Sequence, residues 1–166
     1  MKKSKIFIAC DTTNIQKVKK IINLSKTNKI KIGYKFGLEF MNSKNGRHFI
    51  SALKNKIVFI DLKLNDTVNT MLSTVKALKD LKINYLTVHI SSGLTALKAV
   101  KKVSGLTKIV GVTTLTSLNN KDLKLIGYNK SVKHLVSHQA RLAKKAALDA
   151  LVCSPYEVNA VRKIFK

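Results

Sequence analysis

The feature that most constrains the fold is a repeated alternation between short β-branched runs and segments of helical periodicity. Six runs rich in Val, Ile and aromatic residues predict strands at residues 6–10, 30–36, 57–60, 85–90, 108–113 and 150–153. The third run continues through Asp61, Leu62 and Lys63. Segments with apolar residues at helical spacing separate these runs, at residues 15–24, 46–54, 69–81 and 130–147 among others. Six strand–helix units of this kind predict an α/β fold, with a parallel sheet covered by helices.

Two architectures fit this alternation, and periodicity does not choose between them. One is an open doubly wound sheet, and the other is a (β/α)8 barrel, which has eight units and about 250 residues. This chain has 166 residues and about six units. No glycine lies in residues 10–14 after the first strand, which weakens a dinucleotide-binding sheet. With no linker or low-complexity segment in the sequence, we expect residues 1–166 to form one domain.

The charge balance is strongly positive but does not predict a specific nucleic-acid partner. The chain has 32 Lys and Arg against 8 Asp and Glu, a formal net charge of +24. Only three of the 32 are arginine, the residue that reads bases by bidentate hydrogen bonding. The lysines are spread along the whole chain. A basic polyanion-binding protein on a decayed barrel remains the alternative from another functional class.

Several further features favour a cytoplasmic protein with reduced cysteines and give no indication of a metal site. No apolar run approaches the length of a membrane-spanning helix, and the run Ile6–Cys10 is shorter than a signal-peptide core. Cys10 and Cys153 make no disulfide framework, and we expect both to be small buried thiols. His134 and His138 are four residues apart but lack an evident third ligand, so we expect no metal site there.

Polar residues gather where the predicted strands end. Of the few acids, Asp11 closes the first strand, while Asp61 and Asp66 bracket the end of the third. Lysine, histidine and serine side chains follow other strands at Lys35, Lys63, His89 and Ser117. In parallel α/β folds chemistry lies at this carboxyl edge. On an extended strand positions 61 and 63 point the same way, so a carboxylate and an ammonium would sit side by side. Such a pair can deliver a proton to carbon, or it can be a simple salt bridge at the rim; spacing leaves both open.

The run at residues 61–66, Asp-Leu-Lys-Leu-Asn-Asp, resembles the Asp-x-Lys-x-x-Asp signature of the orotidine 5′-phosphate decarboxylase family. Blocks at residues 9–11, 35–40, 87–89, 112–117 and 152–157 resemble family blocks in family order. The resemblance implies a (β/α)8 barrel that acts as a homodimer without cofactor or metal. It implies conversion of orotidine 5′-monophosphate to uridine 5′-monophosphate and carbon dioxide, in de novo pyrimidine biosynthesis.

The same resemblance implies a role for each site residue. Lys63 would donate a proton to C6 of the pyrimidine, and Asp61 would lie against the substrate carboxylate. Lys35 and Asp66 would complete an alternating charge array, with Asp66 reaching into the partner subunit's site. The other implied contacts are Asp11 and Lys35 with ribose hydroxyls, Thr67 and Thr70 at the edge shared by the two subunits, and Ser117 with the pyrimidine.

The sequence departs from the family pattern in three places. Asn65 stands where many bacterial members have His, and Thr67-Val68 replaces Ile-Pro, which removes a rigid proline. Family members also continue through two more strand–helix units, which carry a Gly-Arg phosphate segment and a loop that closes over the substrate. We therefore expect a C-terminally truncated barrel that folds poorly or lacks activity as it stands. Another decarboxylase or synthase of the same superfamily, of the 3-keto-gulonate-6-phosphate or hexulose-phosphate type, is the alternative enzyme.

Overall fold

The computed structural model describes residues 5–165 and contains the six predicted strands. The strands are β1 Lys5–Ala9, β2 Lys31–Gly37, β3 Ile57–Leu64, β4 Tyr85–His89, β5 Lys108–Val112 and β6 Ala150–Val152. The helices are α1 Ile15–Leu24, α2 Leu38–Met41, α3 Gly46–Ser51, α4 Val68–Ala77, α5 Gly93–Val103, α6 Asn120–Leu125, α7 Val132–Lys145 and α8 Val158–Ile164. No helix within residues 5–165 is both long and apolar enough to cross a membrane.

The six strands form one sheet in which chain order and spatial order coincide, β1-β2-β3-β4-β5-β6. The pairs β1–β2, β2–β3 and β5–β6 are parallel. A helix lies between each pair of consecutive strands, as the parallel crossover requires. The predicted α/β fold, with six βα units of a (β/α)8 barrel, is confirmed.

The described chain divides into two compact units. The first comprises residues up to Leu62 together with Ala77–Leu86, and the second comprises Lys63–Lys76 together with the residues from Thr87 onward. The expectation that residues 1–166 form one domain stays a prediction.

Aromatic side chains fill much of the first unit. The ring of Phe7 lies 5.1 Å from that of Phe59 and 5.0 Å from that of Tyr85, both edge-on. On the other side, Phe36 and Phe40 are fully buried with ring centroids 4.8 Å apart. Such pairs add about 0.5–1.5 kcal/mol beyond the area they bury. These contacts join β1 to β3 and β4, and β2 to α2.

A similar hydrogen-bonded connection occurs once in each unit. In the first unit, Val58 N–H donates to the side-chain oxygen of Asn84 at 2.8 Å, and Asn84 N–H donates to the Val58 carbonyl at 2.9 Å. In the second, Ile109 N–H donates to a carboxylate oxygen of Asp149 at 2.8 Å, and Asp149 N–H returns a bond to the Ile109 carbonyl. Each connection joins the start of one strand to the residue shortly before the next.

Several predicted boundaries were wrong. The helix predicted over 69–81 ends at Ala77 and gives way to a 3₁₀ turn, Lys79–Leu81, which stops at the left-handed Lys82 (φ 47°). The helix predicted over 46–54 ends at Ser51. The third strand, predicted over 57–60 with a continuation, extends to Leu64. Periodicity in sequence does not register where a helix tightens into a 3₁₀ turn.

Candidate active site

Three charged side chains meet at the carboxyl ends of the first three strands. Lys35 of β2 places its Nζ atom 3.0 Å from Oδ2 of Asp61 in β3 and 3.9 Å from Oδ1 of Asp11, which follows β1. All three belong to the first unit. We call Asp11, Lys35 and Asp61 the charged trio. The predicted gathering of these residues is confirmed by their geometry.

The strand register explains why the trio forms. Ala9 lies opposite Lys35 in the β1–β2 pair, and Gly37 lies opposite Asp61 in the β2–β3 pair. Lys35 and Gly37 are two residues apart, so they face the same side of the sheet, and the Asp61 side chain shares that side with Lys35. One further hydrogen bond, from Cys10 N–H to the Lys35 carbonyl at 2.8 Å, carries the ladder past the end of β1 towards Asp11.

The two carboxylates of the trio differ sharply in exposure. The Asp61 side chain is 10% exposed, whereas that of Asp11 is 62% exposed; the Lys35 side chain between them is 26% exposed. Charges attract more strongly where water is excluded, so the pair with Asp61 dominates. The trio thus presents one ammonium fixed beside a buried carboxylate, with a net charge of −1.

Cys10 lies next to the trio but is not a reactive thiol. Its side chain is fully buried. Burial, reinforced by the neighbouring Asp11 carboxylate, raises the pKa of Cys10 to about 11, against the opposing effect of Lys35. A thiol with that pKa is protonated near neutral pH. Cys153 is only half-buried, contrary to prediction, because β6 ends at Val152 and the cysteine falls in the turn beyond it.

Lys63 lies in the second unit, near the end of β3, in a left-handed backbone conformation with φ 49°. Its N–H donates a 2.8 Å hydrogen bond to the hydroxyl of Thr87 in β4. The two-residue period of an extended strand does not continue through a left-handed residue. The expectation that the side chains of residues 61 and 63 point the same way assumed an extended strand. Because Lys63 is left-handed, that assumption does not hold at this position.

Asp66, Thr67 and Thr70 form a cluster at the start of α4. Thr67 N–H donates to Oδ1 of Asp66 at 2.6 Å, and the hydroxyls of Thr67 and Thr70 are 3.0 Å apart. The Thr67 N–H, followed by the Thr70 hydroxyl, lowers the pKa of the Asp66 carboxyl below its usual value. All three residues are exposed, so this edge of the second unit is open to solvent.

Ser117 lies in an exposed turn between β5 and α6. The second unit also contains a cavity of about 400 Å³ beside this turn. The polar residues lining the cavity are Asn65, His89, Ser91, Thr113, Thr114, Tyr128 and Gln139. Ser117 is not one of them. Gln139 is buried and its side-chain oxygen accepts from the Thr114 hydroxyl at 3.1 Å.

Sequence reasoning missed Thr87 and Gln139. A signal existed for both, because each is a polar residue within an otherwise apolar stripe: Thr87 lies between the buried Leu86 and Val88, and Gln139 precedes the buried Ala140.

His134, considered for a metal, instead places its Nδ1 atom 3.0 Å from the Ser131 hydroxyl at the start of α7. Residues 5–165 contain no group of three His, Cys, Asp or Glu arranged to hold a metal ion.

Comparison with known proteins extends over nearly the whole chain. The family model described as "Orotidine 5'-phosphate decarboxylase / HUMPS family" matches residues 4–166. A curated orotidine 5′-phosphate decarboxylase from Wolbachia sp. subsp. Brugia malayi is 41% identical over 162 residues, covering 94% of this chain and 70% of the relative. Another, from Sphingopyxis alaskensis, is 38% identical and covers 96% of this chain and 71% of the relative.

Solved structures agree with these relatives. The crystal structure of orotidine 5′-phosphate decarboxylase from Lactobacillus acidophilus superimposes with a TM-score of 0.86 at 28% identity, covering 98% of this chain and 77% of that one. The enzyme from Methanocaldococcus jannaschii, complexed with the inhibitor BMP, shares the fold with a TM-score of 0.79 at 22% identity, over 98% of this chain and 74% of that one. By sequence and by fold, this chain belongs to the orotidine 5′-phosphate decarboxylase / HUMPS family.

Proposed function

We propose that this chain decarboxylates orotidine 5′-monophosphate to uridine 5′-monophosphate and carbon dioxide. The observation that carries the proposal is the charged trio, in which the Lys35 ammonium is fixed 3.0 Å from the buried Asp61 carboxylate. A cation and an anion fixed before substrate arrives form an electrostatic environment that needs no reorganisation during reaction. Membership of the family supplies the substrate class.

In the proposed reaction, Lys63 is the proton donor. The bond between C6 of the pyrimidine and its carboxylate carbon breaks, and the electron pair stays on C6 as carbon dioxide leaves. The Lys63 ammonium then transfers a proton to C6, and the new C–H bond forms from the electron pair on C6. The Lys63 side chain is left as a neutral amine, which water reprotonates. Asp61 lies against the substrate carboxylate, and the resulting repulsion is relieved only as carbon dioxide departs.

The remaining site residues bind and orient the nucleotide. Lys35 and Asp11 hydrogen-bond ribose hydroxyls, a role supported by their 3.9 Å contact and by the exposure of Asp11 to incoming ligand. Ser117, in its exposed turn, contacts the pyrimidine. Binding energy collected on the ribose holds the ring against the charges.

We also propose that two copies of the chain form a homodimer in the cytoplasm. The exposed cluster of Asp66, Thr67 and Thr70 faces solvent in one copy and would complete the partner's site, adding a second carboxylate to its charge array. The hydrogen bonds from the Thr67 N–H and the Thr70 hydroxyl lower the Asp66 pKa, which extends the pH range over which that carboxylate is charged to more acidic values.

The test is direct assay of the purified chain with orotidine 5′-monophosphate, following loss of the substrate's absorbance and release of carbon dioxide. Lys63→Ala should abolish turnover, whereas Lys76→Ala, which removes an equal charge from the exposed face of α4, should leave it unchanged. Turnover should also survive EDTA, because every proposed step uses only the chain's own side chains. Turnover that persists in Lys63→Ala, or its absence from the unaltered chain, would overturn the proposal.

A further inference from the structure

We propose that Thr87 is a positioning residue that holds Lys63 in the conformation from which it donates its proton. The role rests on the proposed function, in which Lys63 is the donor. The link is the 2.8 Å hydrogen bond from Lys63 N–H to the Thr87 hydroxyl, within the second unit.

The backbone of Lys63 is unusual for its place in the fold. Within residues 5–165, four non-glycine residues have positive φ: Asn55, Lys63, Lys82 and Ala147. The other three lie in turns or bends, where left-handed residues commonly end a segment. Lys63 alone is inside a strand. Left-handed conformations of ordinary residues are disfavoured and persist where the surroundings impose them, often at functional sites.

Thr87 is suited to impose this conformation. It is 1% exposed in the middle of β4, between Leu86 and Val88, which are both fully buried. Packing alone would favour valine at such a position, so the hydroxyl needs another explanation. A β-branched side chain in a strand has few accessible rotamers, which fixes the acceptor oxygen in space. The hydroxyl thereby satisfies the Lys63 N–H where the strand leaves its extended course.

The expected consequence is a loss of orientation, not of binding. Without the acceptor, the Lys63 N–H is left in a partly buried region, and the residue can relax towards the extended conformation. Rotation of φ from the left-handed region would swing the side chain, and displacement of a catalytic group by about 1 Å can cost about 10²-fold in rate. The groups that bind ribose, Asp11 and Lys35, would stay in place.

The first experiment separates turnover from binding. In Thr87→Val, which keeps the shape but removes the hydroxyl, kcat should fall by about 10- to 100-fold with KM changed by less than about threefold. Thr87→Ser, which restores the acceptor, should recover most of the lost kcat. The matched control is Ser104→Ala: Ser104 is also buried, and its hydroxyl donates to the Lys101 carbonyl at 2.9 Å, away from the site residues. That control should lose stability while retaining kcat.

The second experiment does not depend on activity. Amide hydrogen exchange and the backbone N–H to Hα scalar coupling of Lys63 are measured by NMR in the unaltered chain, Thr87→Val and Thr87→Ser. We expect exchange at Lys63 to quicken by about tenfold or more in Thr87→Val, with its coupling shifted towards the extended value, and both to return in Thr87→Ser.

These readouts distinguish the two hypotheses. If Lys63→Ala leaves turnover intact, the proposed function fails, and the positioning role fails with it. If the unaltered chain is inactive, the proposed function fails, and the positioning role in proton donation fails with it. Whether or not the chain is active, an unchanged Lys63 coupling in Thr87→Val overturns the positioning role on its own. If the chain is active and needs Lys63, a Thr87→Val variant with normal kcat overturns the role, even where exchange at Lys63 has quickened.

Discussion

The two ion pairs made by Lys35 should differ several-fold in strength, although they share the same ammonium. The perturbation is a pair of double-mutant cycles, one combining Lys35→Met with Asp61→Asn and the other combining Lys35→Met with Asp11→Asn. Each cycle isolates the coupling between two side chains from their other contacts. The distances are 3.0 Å to Asp61 and 3.9 Å to Asp11.

Distance alone would make these couplings nearly equal. At an effective dielectric constant of about 20, Coulomb's law gives about 5.5 kcal/mol for the Asp61 pair at 3.0 Å and about 4.3 kcal/mol for the Asp11 pair at 3.9 Å. Exposure separates them, because the Asp11 side chain is 62% exposed and that of Asp61 is 10% exposed. Solvent screening should reduce the Asp11 coupling to about 0.5 kcal/mol or less, while the Asp61 coupling should remain about 2 kcal/mol.

Urea denaturation of the unaltered chain, the three single variants and the two double variants measures both couplings. Repetition in 1 M NaCl should weaken the Asp11 coupling proportionally more, since exposed charges are screened more effectively. Couplings that agree within about 0.4 kcal/mol would refute the reasoning, because the difference in burial would then have no energetic effect. The outcome also bears on the site, since it measures how firmly the Lys35 ammonium is fixed beside Asp61.

Three further predictions concern the packing and the thiols. Gly46→Ala should lower the free energy of unfolding by about 3 kcal/mol, since the added methyl would lie 1.7 Å from the Phe40 carbonyl oxygen, whereas Gly37→Ala, with 3.7 Å to its nearest neighbour, should cost less than about 1 kcal/mol; urea denaturation compares them. At pH 8 iodoacetamide should alkylate Cys153 before the buried Cys10, as mass spectrometry would show; the opposite order would contradict the burial argument. Because the folded pKa of Cys10 is raised from 9.0 to about 11, the stability gained from its neutral thiol is full below pH 9 and is lost as the pH rises through 11. The alkaline fall in Tm should therefore be shallower in Cys10→Ala, and an unchanged slope would count against it.

The sequence predicted the strands well because their signal is strong and local. Each strand is a short β-branched run bounded by polar residues. Because a parallel sheet buries both faces of a strand, the run is apolar throughout and stands out from the polar segments around it. Placing the polar residues at the carboxyl ends then followed from general geometry. For that reason Asp11, Lys35 and Asp61 were correctly expected at the same edge, although Asp11 and Asp61 are 50 residues apart in sequence.

Local signals did not reveal departures from regular geometry. The left-handed conformation of Lys63 has no signature in sequence, since lysine is not a residue that favours positive φ. Its N–H donates to a hydroxyl 24 residues later in the sequence, at Thr87, and such a long-range contact is not visible in the local pattern. The break after Ala77 and the partial exposure of Cys153 likewise depend on the residue at which an element ends, which periodicity does not encode.

The match between chain order and sheet order has a consequence for how the protein is made. Because every strand pairs with those immediately before and after it in sequence, each one can add to a neighbour that has already left the ribosome. The connections from Val58 to Asn84 and from Ile109 to Asp149 span only 26 and 40 residues, so each can close soon after its second residue emerges. During synthesis the most recently formed strand lies at an edge of the growing sheet, and the next βα unit to emerge covers that edge.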